Sequence, residues 1–138
     1  MTQRPRIVFL CVHNAGRSQM AAAWATRLGG DGVEVYSGGS DPAAAVHPVV
    51  LDAMREVGID LTDRVPARWT DTVVAEADVV VTMGCGDACP VFPGVRYVDW
   101  QLPDPAGQPI ERVRPIRDDL RGRVAALLAD LGVVVRVP

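Results

Sequence analysis

Cys11-Val12-His13-Asn14-Ala15-Gly16-Arg17-Ser18 is preceded by the apolar run Ile7-Val8-Phe9-Leu10 and followed by a helix-like stretch over residues 18–28. The apolar run is continuous and predicts a buried strand over residues 6–11. A thiol therefore stands at the end of a strand, and an arginine six positions on stands at the mouth of a helix. Backbone N–H groups of such a loop turn inward and, with the helix N-terminus, form a seat for an oxyanion. Arg17 adds a forked, permanently charged donor. A positive field of this kind favours a thiolate, the nucleophilic form of cysteine. Residues Val12, His13, Asn14, Ala15, Gly16, Arg17 and Ser18 are the expected oxyanion-binding segment, with Cys11 aimed at its centre.

Taken singly, these residues have plainer readings. A cysteine at a strand end is usually a small buried hydrophobe, and an arginine at a helix start is usually solvated. The combination at this spacing favours chemistry. The phosphate loop that ends Gly-Lys-Ser/Thr is excluded, because all 14 basic residues are arginine. Asn14 is expected to brace the loop through its side chain, and the Ser18 hydroxyl to donate to the Cys11 thiolate. A left-handed Asn and an N-cap Ser are compatible with those roles. Trp24, Trp69 and Trp100 read as packing residues.

Beyond this loop, residues 33–37 alternate like a strand that Gly38-Gly39 is expected to close. His47-Pro48 opens a helix running to residue 57 and stopped by Gly58. A short helix is expected over 70–77, a second buried strand over 77–83 and a third candidate over 95–98. Val113, Ile116, Leu120, Val124, Leu127 and Leu131 recur at helical spacing and predict a long last helix. Residues 133–137 read equally as an added strand or an ordered tail. Strands alternating with helices predict an α/β fold in one domain over 1–138: an open parallel sheet of about four strands with helices on both faces.

In open parallel sheets, ligands lie beyond the carboxyl ends of the strands. Cys11, Cys85 and Asp104 each follow a predicted strand and so fall on one edge. Asp104 stands in Leu102-Pro103-Asp104-Pro105-Ala106-Gly107, between two prolines that stiffen its loop. Opposite an oxyanion loop, its carboxyl can protonate a departing oxygen; the plain alternative is a turn residue. Cys85 and Cys89 stand in Gly84-Cys85-Gly86-Asp87-Ala88-Cys89-Pro90. A metal site is disfavoured, since this pair lacks a second pair and His13 and His47 stand far apart in sequence.

The chain has 138 residues, 49% of them hydrophobic and 22% charged, with a formal net charge of −3. That length suits one well-buried core, and the charge leaves no basic footprint for nucleic acid. No apolar run approaches a membrane span, and the N-terminus lacks a secretory pattern. The expectation is a cytoplasmic protein without nucleic-acid or membrane partners. Three cysteines cannot all pair within one chain, and few thiols in a reducing compartment point to catalysis, redox exchange or metal binding.

The Cys-x5-Arg-Ser segment between first strand and first helix resembles the low-molecular-weight tyrosine phosphatase fold. Cys11 to Ser18 followed by Gln19-Met20-Ala21 resembles its arsenate reductase branch. So do Ser37-Gly38-Gly39-Ser40, Glu56-Val57-Gly58-Ile59-Asp60, Val80-Val81-Thr82-Met83 and Asp104-Pro105-Ala106-Gly107. This resemblance, over residues 6–131, implies Cys11 as nucleophile, Arg17 as oxyanion clamp and Asp104 as general acid. Arsenate is the implied substrate, with phosphate or sulfate as mimics, and no cofactor is tightly bound. The implied course is an arseno-cysteine at Cys11, resolved in one of two ways. In thioredoxin-coupled relatives a second cysteine attacks Cys11 and a third takes over the disulfide; Cys85 and Cys89 match those positions in kind, in a shorter loop. In the other route mycothiol attacks the adduct, with mycoredoxin as partner. The arginine-only, GC-rich usage and the form of the Cys85–Cys89 segment resemble actinobacterial enzymes of the second kind, and the sequence reading favours that route. Two competing functions share the loop: a tyrosine phosphatase, disfavoured because Ala106-Gly107 leaves no aromatic wall, and a non-catalytic oxyanion binder.

Overall fold

Four parallel strands in the order β2-β1-β3-β4 carry the molecule. The computed structural model describes residues 4–84 and 89–136. In chain order the elements are β1 (Arg6–Cys11), α1 (Arg17–Gly29), a 3-10 turn (Gly30–Gly32), β2 (Glu34–Gly39), α2 (Pro48–Arg55), α3 (Asp71–Ala75), β3 (Val79–Thr82), β4 (Arg96–Asp99) and α4 (Ile110–Asp130). β1 is central and pairs in parallel with β2 on one side and β3 on the other.

The unbroken apolar run of β1 has a direct structural cause. Its alternate side chains enter two separate cores. Ile7, Phe9 and Cys11 join a large cluster that includes Met20, Trp24, Leu28, Val50, Met54, Val113, Leu120 and Leu128. Val8 and Leu10 join a smaller one with Trp69, Val74, Ala77 and Val80. Helices therefore cover both faces, α1, α2 and α4 on one and α3 on the other. A strand buried on both sides has no polar alternation to show.

Local signals explain most element ends. Pro48 opens α2 at a position where its missing N–H costs no hydrogen bond. The Thr70 side chain caps α3 by accepting from the Val73 N–H at 3.3 Å. Gly58, at φ 79°, ends the turn after α2 in the left-handed region. The indole of Trp24 donates to the Arg117 carbonyl at 3.0 Å and joins α1 to α4.

One expected boundary is corrected. Gly38 and Gly39 do not close the second strand; they are its last two residues. A Cβ on Gly38 would stand 2.8 Å from the Trp69 nitrogen, and one on Gly39 would stand 2.5 Å from the Val12 carbonyl oxygen. These glycines are required for close approach of backbones, not for a turn. The tail after α4 adds no strand up to Arg136, whose N–H bonds the Leu28 carbonyl at 2.7 Å.

Candidate functional site

The loop between β1 and α1 is held from outside by its carbonyls. Ser40, Asp41, Ala43 and His47 donate their N–H groups to the carbonyls of Cys11, Val12, His13 and Ala15, at 3.3, 2.8, 3.0 and 3.0 Å. The segment after β2 thus takes up the outward-facing acceptors. Among the described residues, no acceptor takes the N–H of Val12, His13, Asn14, Ala15 or Gly16. A loop with its carbonyls bonded away and its N–H groups unclaimed is an anion seat by construction.

Cys11 is a free thiol, 3% exposed, at the end of the central strand. Its Sγ lies 2.9 Å from the Ser18 Oγ. Ser18 Oγ in turn accepts from Asn14 Nδ2 at 2.7 Å, so the Ser18 proton is available to the sulfur. Asn14 adopts φ 50°, the single positive φ outside glycine among the described residues. Its left-handed conformation turns the loop, and its buried side chain braces it as the sequence predicts. Both bracing residues, Asn14 and Ser18, are essentially inaccessible to solvent.

Arg17 is the first residue of α1. Its Nη1 donates to the Leu102 carbonyl at 3.1 Å, and its Nη2 lies 4.0 Å from Asp104 Oδ2. The fold therefore brings Asp104, 87 positions away in sequence, beside the Arg17 guanidinium at the end of the loop. Asp104 is half-exposed, and its Oδ1 accepts from the Ala106 N–H at 3.0 Å, which sets the carboxyl's direction. Pro105 packs on the oxyanion loop itself, where a Cβ on Gly16 would stand 2.7 Å from its Cγ.

His13 is exposed, with its Nδ1 3.0 Å from the Asp41 carbonyl. Cys85 lies outside the described residues. Cys89 is half-buried against the smaller cluster and is not a free thiol.

Sequence reasoning missed three contributors. Gln19 donates to both the Asn14 carbonyl and the Asn14 Oδ1, at 3.0 and 3.1 Å. The Ala67 N–H donates to the same Oδ1 at 3.0 Å. The segment 40–47 supplies the outer hydrogen bonds. Only the Gly38-Gly39 pair hinted at them, since paired glycines within a strand signal a backbone passing close by.

A buried thiol, an unclaimed ring of N–H groups, a guanidinium and a carboxyl at one sheet edge define a thiol-based oxyanion-processing fold. The chain belongs to the low-molecular-weight phosphotyrosine protein phosphatase family, whose profile matches residues 6–136. It is 40% identical over 128 residues to arsenate reductase 1 of Bacillus cereus, covering 90% of this chain and 94% of the relative. The structure superposes on the thioredoxin-dependent arsenate reductase of Corynebacterium glutamicum with TM-score 0.80 and 40% identity, covering 95% of this chain and 63% of that one. An arsenate reductase in its phosphate-binding state matches with TM-score 0.80 and 33% identity, over 91% of this chain and 98% of that one.

Proposed function

We propose that this protein is an arsenate reductase that draws its electrons from thioredoxin. The observation that carries the reading is the free Cys11 thiol, bonded to Ser18, inside a loop whose N–H groups have no other acceptor among the described residues. Arsenate occupies the loop with its oxygens on those N–H groups and on Arg17. The Cys11 thiolate attacks arsenic, an As–O bond breaks, and Asp104 gives its proton to the departing oxygen. Cys85 then attacks Cys11 Sγ. The S–S bond forms as the As–S bond breaks, and the electron pair stays on arsenic, so arsenate leaves as arsenite. Attack by Cys89 on Cys85 releases Cys11 and leaves a Cys85–Cys89 disulfide, which the thioredoxin dithiol reduces.

The choice of reductant departs from the preference of the sequence alone. A relative at 40% identity that is itself thioredoxin-dependent weighs more than arginine-only usage, which reports the genome rather than the site, and more than the form of the short Cys85–Cys89 segment, which still supplies the two thiols that a relay needs. The test is arsenite formation by the purified protein, with thioredoxin, its reductase and NADPH in one arm and with mycothiol plus mycoredoxin in another. Turnover in the first arm, abolished in Cys11→Ser, is expected. Turnover only in the second arm would remove thioredoxin while keeping arsenate reduction. No arsenite in either arm would overturn the reading.

A further inference from the structure

We infer that Gln19 is a positioning residue for the Cys11 thiol, acting through Asn14 and Ser18. The inference rests on the thiol chemistry proposed above and concerns a residue with no role in it so far. Gln19 is the third residue of α1, 3% exposed, and its side chain turns back onto the loop. Its Nε2 faces the Asn14 main-chain carbonyl at 3.0 Å. A carbonyl only accepts, so the amide orientation of Gln19 is settled by the backbone. The same Nε2 reaches Asn14 Oδ1 at 3.1 Å, and the Ala67 N–H, which only donates, reaches Oδ1 at 3.0 Å. Two donors therefore hold the Asn14 oxygen, and its Nδ2 is left to face Ser18 at 2.7 Å.

The consequence falls on one proton. Ser18 Oγ has a single hydrogen. Because Nδ2 already donates to Ser18, that hydrogen is not needed toward Asn14 and is directed to Cys11 Sγ, 2.9 Å away. Gln19 ties the main-chain and side-chain oxygens of Asn14 together and so holds this residue in its left-handed conformation at φ 50°. Asparagine visits that conformation more readily than other residues with a Cβ, and these two hydrogen bonds keep it there. Without the clamp, Asn14 gains freedom to rotate, and the Ser18 hydrogen is no longer committed to sulfur.

Gln19→Met keeps length and burial and removes the donor; Gln19→Glu keeps shape and sets a carboxylate against two acceptors. The readout is the rate of Cys11 alkylation by iodoacetamide at one fixed pH, followed by mass on the Cys11 peptide. This needs no arsenate, so its outcome is separate from the identity of the substrate. Each substitution is made in the native protein and in Ser18→Ala. In the native background we expect alkylation to slow by about tenfold in Gln19→Met and more in Gln19→Glu, on the scale of about 1.4 kcal/mol per tenfold for one charge-assisted hydrogen bond. In Ser18→Ala the same substitutions are expected to change the rate less than twofold, because the route to sulfur is already cut. An unchanged rate in Gln19→Met, or an equal slowing in both backgrounds, overturns the proposal. The second result would mean that Gln19 supports the loop as a whole and not the Ser18 proton.

Discussion

Arg17 differs from a generic positive charge in its shape. Its fork reaches the Leu102 carbonyl with one nitrogen and the Asp104 carboxyl with the other. Lysine keeps the charge and loses the fork, so Arg17→Lys is expected to lose most of kcat/KM for arsenate, measured by steady-state arsenite formation. Near-normal kcat/KM would remove the bidentate role. In the proposed mechanism Asp104 acts on the bond that breaks. Asp104→Asn is expected to slow formation of the Cys11 adduct by about 10²–10⁴-fold, the range for loss of a positioned general acid. Oxyanion affinity should hold, because Asn keeps the shape and, like the protonated acid, is neutral. Rapid-quench single turnovers measure the first effect, and equal rates in both proteins would reduce Asp104 to the turn residue that its Ala106 hydrogen bond already makes it.

At the scale of elements, the acid loop is seated by packing. Gly16, the residue before α1, leaves room for Pro105. A side chain at this position has no space beside Pro105. A methyl group 2.7 Å from Pro105 Cγ must push the acid loop away. Gly16→Ala is therefore expected to lower kcat by up to about 10²-fold, the effect of misplacing a catalytic group by an ångström. Its melting temperature should fall only modestly: Gly16 and Pro105 are both buried, but the residues around Pro105 (Pro103, Asp104 and Gly107) are exposed, so the acid loop can move without disturbing the core. A large drop in melting temperature with kcat retained would show that Gly16 serves folding instead. The outer shell follows the same logic. The segment 40–47 spans the end of β2 and the start of α2, and its N–H groups hold four loop carbonyls outward. The anion seat is thus built by two connections, only one of which carries the recognisable motif.

Across the whole molecule, the helical layer is joined by Glu56. This carboxylate, just past α2, accepts from Arg114 at 2.7 Å and from Arg117 at 2.7 Å, both on α4. Those hydrogen bonds, Arg114 first and then Arg117, hold its pKa down to about 2 from an ordinary 4.5. A carboxylate with a depressed folded-state pKa contributes stability that is fully present above its unfolded value. The contribution fades as pH falls from about 4.5 through about 2. Glu56→Gln is expected to be less stable than the native protein near neutrality, with the two acid-unfolding curves converging toward pH 2. A constant gap across that window would mean that the carboxylate's charge is not what joins the helices. Salt should narrow the part of the gap that comes from Arg114, because Arg114 and Glu56 are reached by solvent while Arg117 is buried.

The loop after β1 and the sheet were legible in the sequence because both are local. Cys11 to Ser18 carries its chemistry in consecutive residues, and the apolar run before it needs only to be buried on both faces to declare a central parallel strand. Helical spacing from Val113 to Leu131 announced α4 for the same reason. Asp104 was legible by rule, since an acid after a strand at the carboxyl edge must come near the loop. What the tertiary structure decided is non-local. Gly38 and Gly39 read as a strand end because glycine in sequence does not reveal which backbone passes beside it; the fold shows Trp69 and Val12 there. Gln19 read as one more helix residue, since its two partners on Asn14 depend on the loop turning back over the first turn of α1. The Ala67 N–H was invisible because a main-chain donor has no residue type to mark it. The sequence by itself determined which atoms can react; folding decided which hydrogen bonds hold them in place, because those bonds join backbone groups that no local pattern encodes.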